Sequence, residues 1–228
     1  MNPELRRIGT SQSPIVVIDH FSGDVEEVSS LADELTPFPR IEGNYYPGVR
    51  RTITESDTSA YAYVIMACNR AAPFVGGAFG VKGFDLMEAS FSIVTVAPHE
   101  LEPVQRTPHF DSPEQNIFAL LHYLRVPENT GTAFYRHRAT GIERVTNDNM
   151  PFFVARARAE ASMLPPDSGY MQGSDRFYEQ IGIVEAVSDR AVIYHSSLLH
   201  SGLIPPGMSL SDDPREGRLT ANFFLRGS

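Results

Sequence analysis

Pro14 is followed by an unbroken β-branched run, Ile15-Val16-Val17-Ile18, which predicts a short buried strand. Val25, Val28, Leu31 and Leu35 then recur at helical spacing. Ser22 or Asp24 can cap that helix, and Asp24, Glu26 and Glu27 lie where the helix dipole favours negative charge. It should end before Pro37 and Pro39. The stretch from Ile41 to Thr54, with Tyr45-Tyr46-Pro47-Gly48, reads as loop, and a second helix is predicted from about Thr58 to Ala71. Gly76, Gly77, Gly80 and Gly83 should interrupt it. Their context, GGAFGVKG, has neither the GxGxxG nor the Lys-Ser/Thr ending of a phosphate loop, so it reads as a turn.

Beyond Gly83 the pattern shortens into strands separated by turn residues: Leu86 to Val96, Asn116 to Val126, Thr132 to His137, Ile181 to Val187, Ala191 to Tyr194 and Arg218 to Leu225. One helix, about Asn149 to Met163, interrupts them. Helices first and then many short strands, with no strand-helix-strand alternation, predict an α+β but mainly β protein: an antiparallel sandwich or barrel with a helical N-terminal layer. Residues 1–228 are expected to form one domain, 1–83 as that layer and 84–228 as the β core. Leu164 to Asp175 and Pro205 to Gly217 read as mobile loops near a mouth.

Composition narrows the functional classes. The 228 residues carry 19 Lys+Arg against 28 Asp+Glu, a formal net charge of −9, which disfavours nucleic acid as a partner. The tight basic cluster Arg136-His137-Arg138 reads as a solvated strand end or turn. Cys68 is the single cysteine, so no intrachain disulfide or Cys-rich zinc site can form. No apolar run approaches the length of a signal peptide core or a membrane span, and a soluble, cytoplasmic protein without a membrane partner is expected. Oligomeric state is left open, a homodimer included.

The chemistry-bearing residues centre on TPHFDSP. On an extended chain His109 and Asp111 point to the same face and can grip one metal. His195 or His200, in AVIYHSSLLHSG, would complete two histidines and a carboxylate. That facial set leaves positions open and suits non-haem Fe(II). The bland reading of so short a motif is a turn aspartate beside a hydrogen-bonded histidine. Ser196 and Ser197 lack a nucleophile elbow, and His99, His122 and His137 show no spacing for a second metal. Tyr61, Tyr63, Phe74, Phe79, Phe91, Phe110, Phe134, Phe223 and Phe224 read as core and cavity wall.

The order HxD, then Leu120-Leu121-His122-Tyr123-Leu124, Gly131-Thr132-Ala133-Phe134, the AVIYHSSLLH run and Gly217-Arg218-Leu219-Thr220 resembles the Fe(II)/2-oxoglutarate-dependent oxygenases, in their prolyl-hydroxylase-like branch. The chain resembles more closely still an uncharacterised bacterial group sharing TPHFD and GRLTANFFL-like ends. The resemblance implies a double-stranded β-helix, a cupin-like jelly roll, with supporting N-terminal helices. It implies iron on His109, Asp111 and His200, with His200 preferred to His195 because tyrosine, small residues and leucine precede the family's distal histidine. Arg218 matches the basic residue that pairs with the far carboxylate of 2-oxoglutarate, with Arg226 and Arg215 as fallbacks. Thr220, on the same strand face, could donate to that carboxylate, and Tyr123 matches a tyrosine that hydrogen-bonds the same end. The gap between His200 and Arg218 exceeds the family's, which makes Pro205 to Gly217 an inserted loop.

The implied activity consumes 2-oxoglutarate and O2 and hydroxylates a peptide, an amino acid or a small molecule. Because Asp111 is present, hydroxylation is favoured over halogenation. Two other readings remain: a cupin-like metalloenzyme that does not use 2-oxoglutarate, and a non-catalytic jelly-roll binding module. Which way Arg218 points separates them.

Overall fold

Alternation along the strands builds two cores on opposite faces of one sheet. The computed structural model describes residues 1–40 and 45–228. Among these, ten strands form two antiparallel sheets. The larger takes β1 (Asn2–Ile8), β2 (Ser13–Asp19), β3 (Gly48–Thr52), β4 (Phe84–Val94), β5 (Ile117–Arg125), β8 (Arg190–His195) and β10 (Leu219–Gly227), in the order β1-β2-β8-β5-β10-β4-β3. The smaller sets β6 (Gly131–His137) between β7 (Tyr178–Glu185) and β9 (His200–Leu203). This is a double-stranded β-helix flanked by helices.

On the outer face of the large sheet, Val16, Ile18, Phe91, Ile93, Phe118, Leu120, Ile193, Ala221 and Phe223 pack against α1 (Val25–Glu34) and α2 (Thr58–Phe79). On its inner face Ile15, Val17, Ala119, Tyr123, Val192 and Tyr194 meet Phe134 and Val184 of the small sheet. Successive strand residues serve opposite cores, as the pleat requires. The third helix, α3 (Met150–Ala161), covers the far side of the small sheet through Phe153, against Ala133, Tyr135 and Tyr178.

Asp24 caps α1 by accepting from the Glu27 amide, as its position before the apolar repeat predicts. Three expectations need correction. The second helix does not stop near Ala71: it runs through Pro73, Gly76 and Gly77 and ends only where Gly80 turns left-handed. Burial of Val75, with Phe74 and Phe79 packed against the core, outweighs a proline cost of about 3 kcal/mol. The expected Ile41 to Thr54 loop holds β3 at Gly48–Thr52, and residues 41–44 lie outside the described residues. The basic cluster does lie at a strand end, that of β6, and Arg138 is exposed, but it is not solvated throughout: His137 is fully buried on Glu160 at 2.6 Å, and Arg136 pairs with Glu143 and Glu179. No helix among the described residues is long and apolar enough to cross a membrane.

Glu143 ties the turn between β1 and β2 to the small sheet. Its buried carboxylate accepts from the Thr10 amide at 3.0 Å, the Ser11 amide at 2.9 Å and hydroxyl at 2.6 Å, and Arg136 Nε at 2.8 Å. Burial pushes the carboxyl pKa up, but these donors win and bring it to about 2, from 4.5. A pKa depressed on folding stabilises above the unfolded value and is lost as pH falls through the folded one. Glu143→Gln should therefore cost about 3 kcal/mol at pH 7 and flatten the loss of stability between pH 4.5 and 2. Urea unfolding of both proteins across that range checks it.

Candidate metal centre

His109 enters the site through backbone pairing with β9. Its amide donates to the His200 carbonyl at 2.9 Å, and the His200 amide donates back at 2.8 Å. Two residues on, the Asp111 amide donates to the Ser196 carbonyl at 2.8 Å. The extended His-x-Asp segment is thus pinned along the chain that carries the third side chain. One nitrogen each from His109 and His200 and one Asp111 oxygen lie within 4.8 Å of one another. His200 Nε2 is 3.6 Å from Asp111 Oδ2, and His109 Nε2 is 3.8 Å from Asp111 Oδ1.

The distal histidine has its tautomer fixed. His200 Nδ1 lies 2.8 Å from the Leu198 carbonyl, which can only accept, so Nδ1 carries the proton and Nε2 is left to a metal. Tyr194 holds the ring edge-on at 4.9 Å. Half of the His109 side chain is accessible, but that surface lies inside the cleft, whose walls desolvate the ring. Desolvation, then the nearby His200 and Arg50, keep its pKa well below 6.5, so a free lone pair is the resting state at neutral pH. Burial raises the Asp111 carboxyl, while His200 and Arg50 oppose the shift.

Strand parity excludes the competing histidine. Ala191, Ile193 and His195 share the outer face of β8, and the His195 ring lies 5.0 Å from Phe79 and 5.1 Å from Phe118. Burial, with Arg144 nearby, lowers its pKa to about 4. His122, likewise on the outer face of β5, is a core histidine between Tyr63 at 2.9 Å and Asp189 at 3.0 Å.

His109, Asp111 and His200 open on a chamber of about 120 Å³, whose far wall holds Arg218, Thr220, Asn222 and Thr132. Parity again decides: Leu219, Ala221, Phe223 and Leu225 of β10 face the helices, which turns Thr220 and Asn222 inward with the preceding Arg218. Arg218 is 4% exposed, yet no carboxylate among the described residues reaches it. Its Nη2 donates to the Gly131 carbonyl at 3.4 Å, its guanidinium lies 5.6 Å from the Tyr123 ring, and its buried Nε has no partner. Tyr123 reaches the chamber indirectly, since its hydroxyl bonds Thr132 at 2.7 Å. Thr220 Oγ1 accepts from Asn222 at 3.3 Å. The fallback arginines lie elsewhere: Arg215 with Asp213 and Asp33, Arg226 with Glu114.

Arg50 lines the same chamber from β3, with Nε donating to Ser92 at 3.2 Å. The sequence reading missed it because a short edge strand carrying two arginines has no apolar alternation to mark it. The two diverge as strand neighbours do, Arg50 inward and Arg51 onto Asp57.

Gly217 lets the chain reach this wall. A Cβ there would lie 2.5 Å from Ile93 Cγ2 and 2.6 Å from the Ser211 carbonyl oxygen. Gly217→Ala should cost about 1–3 kcal/mol of stability by forcing apart the Pro205 to Gly217 loop and β4, measurable by thermal unfolding.

A family model described as a family of unknown function, DUF6445, matches residues 1–225. The chain belongs to this family. No curated protein matches the sequence of this DUF6445 chain. Among solved structures it is similar to the non-heme alpha ketoglutarate dependent epimerase SnoN from nogalamycin biosynthesis, at 13% identity and TM-score 0.55, covering 95% of this chain and 79% of that one. It is also similar to AviO1 from Streptomyces viridochromogenes Tue57, at 15% identity and TM-score 0.55, covering 97% and 90%. HygX from Streptomyces hygroscopicus, solved with nickel and 2-oxoglutarate bound, matches at 15% identity and TM-score 0.53, covering 96% and 84%. At such identities the likeness establishes the DUF6445 fold, and the chemistry must be argued from the site.

Proposed function

We propose that the chain is an Fe(II)- and 2-oxoglutarate-dependent oxygenase, prolyl-hydroxylase-like in its site, that hydroxylates a peptide, amino acid or small molecule. The carrying observation is one small chamber that joins two imidazoles and a carboxylate to a buried arginine lacking an anion. Among the described residues no further His, Cys, Asp or Glu joins the cluster, so a metal held there keeps positions open for other ligands. A buried guanidinium without a counter-ion carries a desolvation cost that a dicarboxylate relieves. The residues therefore fit both groups: His109, Asp111 and His200 would hold iron, and Arg218 with Thr220 the far carboxylate.

When bound, iron would supply O2-dependent conversion of 2-oxoglutarate to succinate and CO2, coupled to insertion of one oxygen atom into a substrate C–H bond. The protein contributes orientation and exclusion of water. Leu198 fixes the His200 ring, β9 fixes His109, and Tyr123 supports Arg218 through ring contact. An inward Arg218 favours this reading over a metalloenzyme that does not use 2-oxoglutarate, and over a binding module.

Anaerobic addition of Fe(II) and 2-oxoglutarate should give a weak visible charge-transfer band, and air should then yield succinate. Absence of both would overturn the reading.

A further inference from the structure

A second cleft, of about 420 Å³, opens on the outer side of His109 and Asp111. Its volume is in the range of small-molecule sites. Phe110, turned opposite to His109 and Asp111 by the extended chain, forms its wall with Phe153, Val154 and Ala157 of α3, Val104 and Pro108. The charges in this lining are unusual for a molecule of net charge −9. Among the described residues the only carboxylate is Asp111, whereas Arg50 stands at the inner end and Arg158 at the rim. Arg50 is anchored on Ser92, with Glu88 at 3.6 Å. Arg158 is exposed on α3, and its guanidinium has no hydrogen bond or ion pair among the described residues. Its neighbour Arg156 is instead paired with Glu160 at 2.7 Å.

We propose that the outer cleft takes a small molecule with an apolar, ring-sized body and an acid group, carboxylate or phosphate, which Arg158 receives at the rim. The inference rests on the oxygenase reading for the identity of this cleft as the substrate side, and on the cleft's own lining for the chemistry. Phe110 and Phe153, in edge-to-face contact at 6.1 Å, form one aromatic wall against which the apolar body lies. An acid group held by α3 fixes which carbon of that body lies against His109 and Asp111. A planar guanidinium fork favours an anion over a neutral isostere by about tenfold or more.

The test is equilibrium binding by calorimetry with Zn(II) and saturating 2-oxoglutarate present, so that the inner chamber is filled and no turnover occurs. The probes are 3-phenylpropionate, 2-phenylethyl phosphate and the neutral 3-phenylpropionamide. The wild type should bind at least one acid about tenfold more tightly than the amide, and Arg158→Gln should bring acid and amide within about threefold. Equal binding of all three probes, or an acid preference that survives in Arg158→Gln, overturns the proposal. Binding of 2-oxoglutarate itself, measured first in both proteins, should be equal because Arg158 lies outside the inner chamber. Failure of that first step in the wild type would count against the oxygenase reading, whereas success followed by no acid preference in the wild type, or by one that survives in Arg158→Gln, counts against the cleft assignment alone.

Discussion

His200→Ala is expected to abolish the Fe(II)/2-oxoglutarate band and succinate formation, while His195→Ala keeps both. The two histidines share one short sequence run, and only their side-chain directions differ. His200 presents Nε2 to Asp111 at 3.6 Å with its other nitrogen tied to Leu198. His195 lies between Phe79 and Phe118, on the helix side of the sheet. Loss of an outer partner of a metal ligand commonly costs 10–100-fold in affinity, so loss of a ligand from a set of three should cost at least 100-fold. His195→Ala should instead lower stability by about 1–3 kcal/mol through a cavity in the α2 interface. Metal titration and thermal unfolding of both variants separate the roles. A His200→Ala protein that binds Fe(II) and 2-oxoglutarate as the wild type does would sink the three-residue centre.

The strands that make this distinction were legible in part. The Ile15–Ile18 run, the AVIY run and the Leu219–Leu225 segment are rich enough in apolar residues to mark β2, β8 and β10. Of the four edge strands, β7 was legible as Ile181 to Val187, while β1, β3 and β9 defeated the same logic. Residues of β1 are mostly exposed, and Asn2–Ile8 has the charged, sparsely apolar character by which proteins protect a sheet edge. The four residues of β9 are too few to show a period, yet they place His200. Local propensity also misjudged α2, because tertiary burial of Val75 and Phe79 lies outside anything a window of proline and glycine can report.

The candidate site was legible for a different reason. His109 and Asp111 are local, since a spacing of two on an extended chain fixes a common face. Thr220 on β10 and Arg218 just before it obey the same rule, and parity against Leu219 and Ala221 turns them inward. Arg50, Tyr194 and Arg158 are not local in this sense. They reach the site only because β3 pairs with β4, β8 with β5, and α3 packs across the small sheet, none of which a motif encodes. The charge count misleads in a similar way: the net −9 is a sum over the whole chain, while the cleft lining among the described residues holds two arginines and a single aspartate.

Arg218→Met should separate binding from stability with opposite signs. The guanidinium is 4% exposed, has one long hydrogen bond to Gly131 at 3.4 Å, a ring contact with Tyr123, and an Nε with no partner among the described residues. An unsatisfied buried donor costs about 1–3 kcal/mol, and a charged one more. Replacing it by an apolar side chain of similar length removes that cost, so the ligand-free variant should be more stable than the wild type by about 1–3 kcal/mol. Breaking the pair with the cosubstrate acts the other way. Leaving a buried carboxylate without its cation costs about 3–5 kcal/mol, which predicts at least a 100-fold weaker affinity for 2-oxoglutarate. Relative to Zn(II) alone, adding 2-oxoglutarate should therefore raise the Tm of the wild type and leave that of the variant nearly unchanged, since only the state that binds gains stability by mass action. Arg218→Lys should fall between them, because a point charge keeps the sign but loses the fork that addresses two carboxylate oxygens. A ligand-free variant that is less stable than the wild type and keeps the 2-oxoglutarate shift would mean that the guanidinium serves the fold, with Tyr123 and Gly131 as its true partners.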